Sequence, residues 1–549
     1  ENITIADNDS ESNEVELTDA ADHTGTLTLA GGTKGLYFAV KSDVSAKTVD
    51  ASKQVSDLKL NVVDQVKDPG QTIKLGSGDD VLTFKAIDSL DSKDTISDVD
   101  GKDTVRAIFS KDNALNLKGI ESVHVAASKD INLDVSKTDI SKLVLMSREA
   151  VQQTDHVESL GYGVYGMGNT TDFADTNDIS TKSITLKSSN ISELDFAGDL
   201  DAKDDFDATG NPIAAADDKT AQVFNGVTLE NNTSKDLDVK VRSSLDRIKK
   251  DGGAVSYTIG QITAHGVENF NVKVSDEKDE KTTTTIKDVW GTSIKNVTVE
   301  AKGNVNLNTV TGNSLFNSIA SVDASKVGGD FTAHVQSLGD SAKVKLGDGN
   351  NDFSAIGSSG NKIEIKAEKG NDKIEGSSGS DIIEAGEGAN EIKADRGDNR
   401  VVVGSGNDKV EAKDGNNTVD LGKGFDTYKG NIGTGLNTTK MITSITKMEG
   451  RAVVDFATDG GAAATTSQVI AADANDTLNL VWEGDQLKSY TINGRQALTA
   501  GTDGDDDILV GAAYQGKTTI LTAINNASGT ISGGKGNDTI TVTQKQLAP

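Results

Sequence analysis

The sequence predicts an all-β chain: an extended, irregular β-solenoid or sandwich-like region followed by a stacked parallel β-roll. Three observations lead there. Short runs of Val, Ile and Thr alternate with polar residues and are bounded by Gly, Asn, Asp and Ser nearly throughout. A loose apolar-x-x-apolar-x-apolar motif recurs through the first 330 residues. From Gly370 to Gly424, glycine then falls at every ninth position.

Length and composition set the frame. The chain has 549 residues, more than one ordinary core supports, so several domains are expected. Four regions are read. Residues 1–118 are β-rich with one glycine repeat, and residues 119–340 carry irregular stacked repeats with two loop insertions. Residues 341–435 form the roll, and residues 436–549 are β-rich with two further glycine repeats. The 57 glycines, against 3 prolines and 4% aromatics, suit many short strands and tight turns. Lys plus Arg is 55 and Asp plus Glu is 85, a net charge of -30. That balance speaks against nucleic acid, whose binders present basic faces, and against a grip on anionic lipid. It suits solubility and divalent cations. With no cysteine, disulfide scaffolds, thiolate zinc sites and cysteine catalysis are excluded. No stretch is apolar enough to span a bilayer as a helix. "ENITIADNDS" is not a signal peptide, so any secretion signal is expected outside the sequence.

The loose repeat comes first. Its copies are "IESVHV" from Ile120, "ISKLVL" from Ile140, "ISELDF" from Ile191, "VENFNV" from Val267, "IKNVTV" from Ile294 and "IASVDA" from Ile319. Each ends in a period-two strand, and a unit that cannot bury its own face must stack on neighbours. These are read as rungs of an extended β-structure; a β-sandwich of similar strands is the alternative. Two polar insertions interrupt them, Ser147 to Asp178 and Asp199 to Thr220. Asp201, Asp204, Asp205 and Asp207 crowd the second insertion, which is read as a solvated acidic loop. Helical patches are expected only at Ser243 to Gly253 and Thr518 to Gly529.

The strict repeat follows. Gly370, Gly379, Gly388, Gly397, Gly406, Gly415 and Gly424 keep the beat. Asp372, Asp381, Asn390, Asn399, Asp408, Asn417 and Asp426 stand two residues after them. Ile374, Ile383, Ile392, Val401, Val410, Val419 and Tyr428 stand two further on. Weaker copies precede the block at "LGDGNNDFS", with Gly347, Gly349 and Asn351, and around Gly360. Six residues make a turn that needs positive φ and close backbone approach, hence glycine. The last three make a short strand whose middle apolar residue points inward. Turn carbonyls and the Asp or Asn oxygen face one way. Hard oxygen ligands without nitrogen or sulfur select calcium. Stacked aspartates repel, so cation is needed for the rungs to close. Two repeats complete one coil, so alternate units share an edge: Asp372, Asn390, Asp408 and Asp426 on one, Asp381, Asn399 and Asn417 on the other.

The block resembles the glycine-rich nonapeptide repeat G-G-x-G-x-D-x-U-x of RTX proteins. "GGKGNDTIT", with Gly533, Gly534, Gly536 and Asp538, fits all nine positions. "LGSGDDVLT", with Gly76, Gly78 and Asp80, and "AGTDGDDDIL", with Gly504 and Asp506, fit most. The resemblance implies several calcium ions held at these positions. The second glycine is kept at Gly386, Gly404 and Gly422 but is Glu368, Ser377, Asp395 or Lys413 elsewhere. Fewer or weaker sites than in a full block are therefore expected, although Asp395 could replace the charge missing at Asn399.

RTX proteins include toxins, proteases, lipases, adhesins and surface-layer subunits. None of the five histidines, His23, His124, His156, His265 and His334, opens an H-E-x-x-H motif. G-x-S-x-G is absent, and so are long apolar helices of a pore-former. The loose repeat leading through "SIASVDASKVGGDFTAHV" into glycine repeats looks like the lattice region of RTX-type bacterial surface-layer proteins. That resemblance implies a non-enzymatic, extracellular protein exported by a type I system. It implies a calcium-dependent two-dimensional lattice of copies on the outer surface, with lipopolysaccharide gripped by a separate N-terminal domain not seen here. An RTX adhesin binding a surface or glycan is the first alternative. A secreted β-helix enzyme acting on polysaccharide is the second.

Overall fold

The computed structural model describes residues 2–17, 25–63, 69–146, 182–198, 221–242, 256–275, 282–312, 318–358, 360–412 and 415–432, and beyond these only strand segments between 440 and 542. Two compact units divide the chain: Glu1–Ile294 with Ala301–Gly303, and Lys295–Glu300 with Asn304–Pro549. No helix occurs among the described residues. Both patches read as helical, and both polar insertions, lie outside them.

In the first unit each strand pairs in parallel with the strand two places on in sequence. Tyr37–Val44 pairs with Asp57–Val62, that with Val81–Ile87, and that with Thr104–Phe109. The series continues through Ser122–Ala127, Lys142–Met146, Glu193–Gly198, Asp236–Arg242 and Asn269–Ser275. The intervening strands, from Thr26–Gly31 through Asn113–Lys118 to Thr283–Trp290, form a second parallel series. Two strands per coil, all parallel, make a β-solenoid. A sandwich of hairpins would instead show antiparallel neighbours. The loose motif supplies the core. Val40, Leu60, Leu82, Val105, Val123, Leu143, Leu194, Val239 and Val272 are successive register partners, and all are buried. The leading apolar residues Ile120, Ile140, Ile191 and Val267 are buried too, which explains why the motif needs three apolar positions. Each such side chain contributes about 1.5–3 kcal/mol of burial.

The second unit repeats the arrangement with shorter rungs. One ladder runs Val322, Val344, Ile365, Ile383, Val401, Val419. The other runs Leu307, Ala333, Phe353, Ile374, Ile392, Val410, Tyr428. All are buried. From Lys373–Glu375 to Arg400–Val402 the strands shrink to three residues. The roll therefore buries one side chain per strand at its centre and relies on its turns. Both ladders end on Asn417–Ile432, which pairs in parallel with Lys440–Thr458. Antiparallel pairing starts there, with Thr466–Ala472 and Leu478–Glu483.

Candidate metal centre

The turns between these strands stack backbone on backbone. A Cβ placed on Gly388 would lie 2.0 Å from the Gly370 carbonyl oxygen, and one on Gly415 would lie 2.0 Å from that of Gly397. Side chains cannot enter, so each turn's carbonyls lie against the next turn. The Asp or Asn two residues after the glycine completes the contact. The amide of Asp372 donates to Asn390 Oδ1 (3.0 Å), that of Asn390 to Asp408 Oδ1 (2.8 Å), and that of Asp408 to Asp426 Oδ1 (2.9 Å). Opposite, the amide of Asp381 donates to Asn399 Oδ1 (2.9 Å) and that of Asn399 to Asn417 Oδ1 (3.1 Å). Each link spans 18 residues, so the two-edge arrangement expected from the nine-residue period is what the fold builds. Asn351 joins the first edge through its amide bond to Asp372 Oδ1, 2.8 Å.

The two edges differ in what remains unsatisfied. On the first, Asp372 Oδ2 and Asp408 Oδ2 are buried without a hydrogen-bond partner. Burial pushes the carboxyls of Asp372 and Asp426 up to about 6 and raises that of Asp408. A buried carboxylate oxygen lacking a donor costs several kcal/mol unless a cation meets it. The donor set, carboxylate and backbone oxygen only, fits calcium. On the second edge Asp381 is already engaged. Its Oδ2 accepts the Ser377 amide (2.7 Å) and its Oδ1 accepts the Ser377 hydroxyl (2.9 Å) and the Ile363 amide (3.1 Å). Desolvation still lifts it to about 6, and Asp395 adds to the rise.

Asparagine changes the notch. Asn390 Nδ2 donates to the carbonyls of Gly386 (3.3 Å) and Gly388 (3.0 Å) in its own turn. Asn399 Nδ2 does the same to Arg396 (3.3 Å) and Gly397 (3.0 Å), and Asn351 Nδ2 to Gly347 (3.2 Å) and Gly349 (2.8 Å). The amide thus supplies the positive pole these carbonyls need. The Asn turns are satisfied without an ion, whereas the Asp372 and Asp408 turns each keep a buried oxygen for one. Calcium titration of Asp408→Asn beside Asn417→Ala tests this. Asp408→Asn is expected to weaken the tightest roll site about tenfold or more, since ligand charge sets affinity. Asn417→Ala should leave that site unchanged; a larger effect from Asn417→Ala would reverse the edge assignment.

The raised carboxyls also set a pH dependence. Unfolded aspartates titrate near 3.8, folded Asp372, Asp381 and Asp426 near 6. The folded state binds protons more tightly, so these groups cost no stability below pH about 4 and their full penalty above about 6. In EGTA, Tm is therefore expected to rise as pH falls from 7.5 toward 5. A calcium-free Tm that falls over this interval would contradict it.

Several read positions take particular places. Gly76, Gly78 and Asp80 form a turn of this kind in the first unit, with Asp80 Oδ1 accepting the Leu58 amide (2.7 Å) and Oδ2 that of Gly76 (3.3 Å). Around Gly360 the phase slips by one: Asn361 lies under Gly379, and Ile363 stands opposite Asp381, so no carboxylate serves that rung. Gly504, Asp506, Gly533, Gly534, Gly536 and Asp538 lie outside the described residues. His265 packs edge-on against Trp290, ring centroids 4.5 Å apart. Sequence reasoning missed Gly101 and Asp103. A Cβ on Gly101 would lie 2.1 Å from the Gly78 carbonyl oxygen, and Asp103 Oδ1 accepts the Asp80 amide at 2.8 Å. "GKDTV" carries the same Gly-x-Asp-x-apolar spacing, but its coil is 23 residues long rather than 18, which hid it from a strict period.

The family model of the RTX calcium-binding nonapeptide repeat (4 copies) matches residues 364–392, 393–428 and 525–542. No curated protein and no solved structure matches the chain. The stacked glycine turns of residues 364–428 are RTX calcium-binding nonapeptide repeats, and calcium is the ion for which their oxygens are arranged.

Proposed function

We propose that the chain is a non-enzymatic structural protein of the bacterial outer surface, exported by a type I system and assembling with its own copies into a calcium-dependent two-dimensional lattice. The observation that carries this reading is the pair of buried, unpartnered carboxylate oxygens at Asp372 and Asp408, set in a stack that needs cation to close. Such a roll stays open where free calcium is low, inside the cell, and folds where calcium is millimolar, outside it. The long parallel solenoid preceding it offers a regularly repeating outer surface for contacts between copies. Lipopolysaccharide is reached through a separate anchoring domain.

Electron microscopy of the purified protein with and without millimolar calcium tests the reading. Two-dimensional sheets that form in calcium and disperse in EGTA are the expected result. Dispersed particles in calcium that bind a glycan or surface would replace it with an adhesin. Turnover of an acidic polysaccharide, lost on changing one carboxylate, would replace it with an enzyme.

A further inference from the structure

We propose that Asp80, Asp98 and Asp103 form a calcium site in the first unit, separate from the roll and outside the residues that the repeat family accounts for. One carboxylate oxygen from each lies within 4.8 Å of the other two. Calcium takes six to eight oxygens at about 2.3–2.6 Å in flexible geometry, so three oxygens this close together can share one ion.

Asp80 and Asp103 are fully buried, at 0% exposure, and Asp98 is half-buried. Their hydrogen bonds leave a defined remainder. Both oxygens of Asp80 accept backbone amides, those of Leu58 and Gly76. Asp103 Oδ1 accepts the Asp80 amide. Asp103 Oδ2 is buried with no partner, and so is Asp98 Oδ1. The charges that act on the cluster are negative: Asp57 on Asp80, and Glu121 on Asp98. The Asp103 amide in turn donates to Glu121 Oε2 at 2.9 Å. The Asp98 and Asp103 carboxyls lie within hydrogen-bond reach of each other, so without an ion they must share a proton, and a cation bound by all three carboxylates removes that need.

The backbone explains how the three meet. Gly101 stacks on Gly78 as the roll glycines stack, which brings Asp80 and Asp103 into the relation of Asp408 and Asp426. Asp98, directly after the three-residue strand Thr95–Ser97, adds a third carboxylate that the roll turns lack. Ligand charge raises affinity, so this site fills at lower calcium than the roll. Its existence does not depend on the lattice or on the roll being calcium-dependent.

The test uses the full chain and calcium alone. Equilibrium dialysis of wild type, Asp98→Asn and Asp408→Asn counts bound ions. Asp98→Asn is expected to lose one ion per chain, the tightest. Its effect on Tm should also change sign: equal or higher than wild type in EGTA, where repulsion is relieved, and lower in calcium. Hydrogen exchange on wild type and on Asp408→Asn needs no change at the cluster. Amides of residues 76–106 should gain calcium-dependent protection in both chains. Unchanged stoichiometry, with Asp98→Asn melting higher in both conditions, would overturn the site in favour of carboxyls sharing a proton. Absence of calcium-dependent protection in residues 76–106 would overturn it independently of the roll.

Discussion

Residues 346–428 are expected to lose their amide protection in EGTA and to regain it in millimolar calcium. That is the largest expected change in this protein, and hydrogen exchange on the full chain measures it. The roll is thin. Its three-residue strands each bury one apolar side chain, such as Ile374, Ile383 or Ile392, and each residue ordered costs about 1–2 kcal/mol of backbone entropy. Against that margin stand buried carboxylates at Asp372, Asp408 and Asp426. Sites of extracellular-module type have Kd of about 10⁻⁴ to 10⁻³ M. At ten times Kd each filled site adds about 1.4 kcal/mol. A few such sites amount to a large part of a domain's usual 5–15 kcal/mol. Identical protection in calcium and in EGTA would show that the stack closes on its apolar ladder and asparagine turns alone.

Gly406→Ala should be nearly as disruptive, and Gly360→Ala should not. Gly406 has φ +142°, and a Cβ there would lie 2.2 Å from the carbonyl oxygen of Gly388 and 2.5 Å from its carbonyl carbon. Neither is a side-chain end that can swing away, so the rungs must separate, and separation opens the turn between Asn390 and Asp408. The expected loss is roughly 3 kcal/mol or more, from overpacking together with left-handed strain. Gly360 also has positive φ, +77°, but a Cβ there meets nothing within 4 Å, so only strain of about 1 kcal/mol remains. Thermal unfolding in saturating calcium separates the two. Equal Tm values for both variants would mean that the close approach of the turns is not what positions the roll.

The rung is legible in the residues alone. A nine-residue beat of Gly, Asp or Asn, and an apolar residue dictates a tight turn and a one-residue core. Doubling it dictates two edges, which Asp372 to Asp426 and Asp381 to Asn417 occupy. The apolar-x-x-apolar-x-apolar motif likewise announced strands that must stack, because Val123 or Leu194 has no partner within its own unit. Packing across coils makes those strands pair in parallel as a solenoid, since composition is the same for a sandwich. It also decides which oxygens are spent. Ser377 engages both oxygens of Asp381, whereas Asp372 and Asp408 keep one buried oxygen without a donor, though all three read alike in the repeat. Asp98 reaches Asp80 and Asp103 only because a coil of 23 residues returns the chain to the same height. Local spacing fixes what a turn can offer; the length of the coil between turns, set by packing, fixes which offers meet.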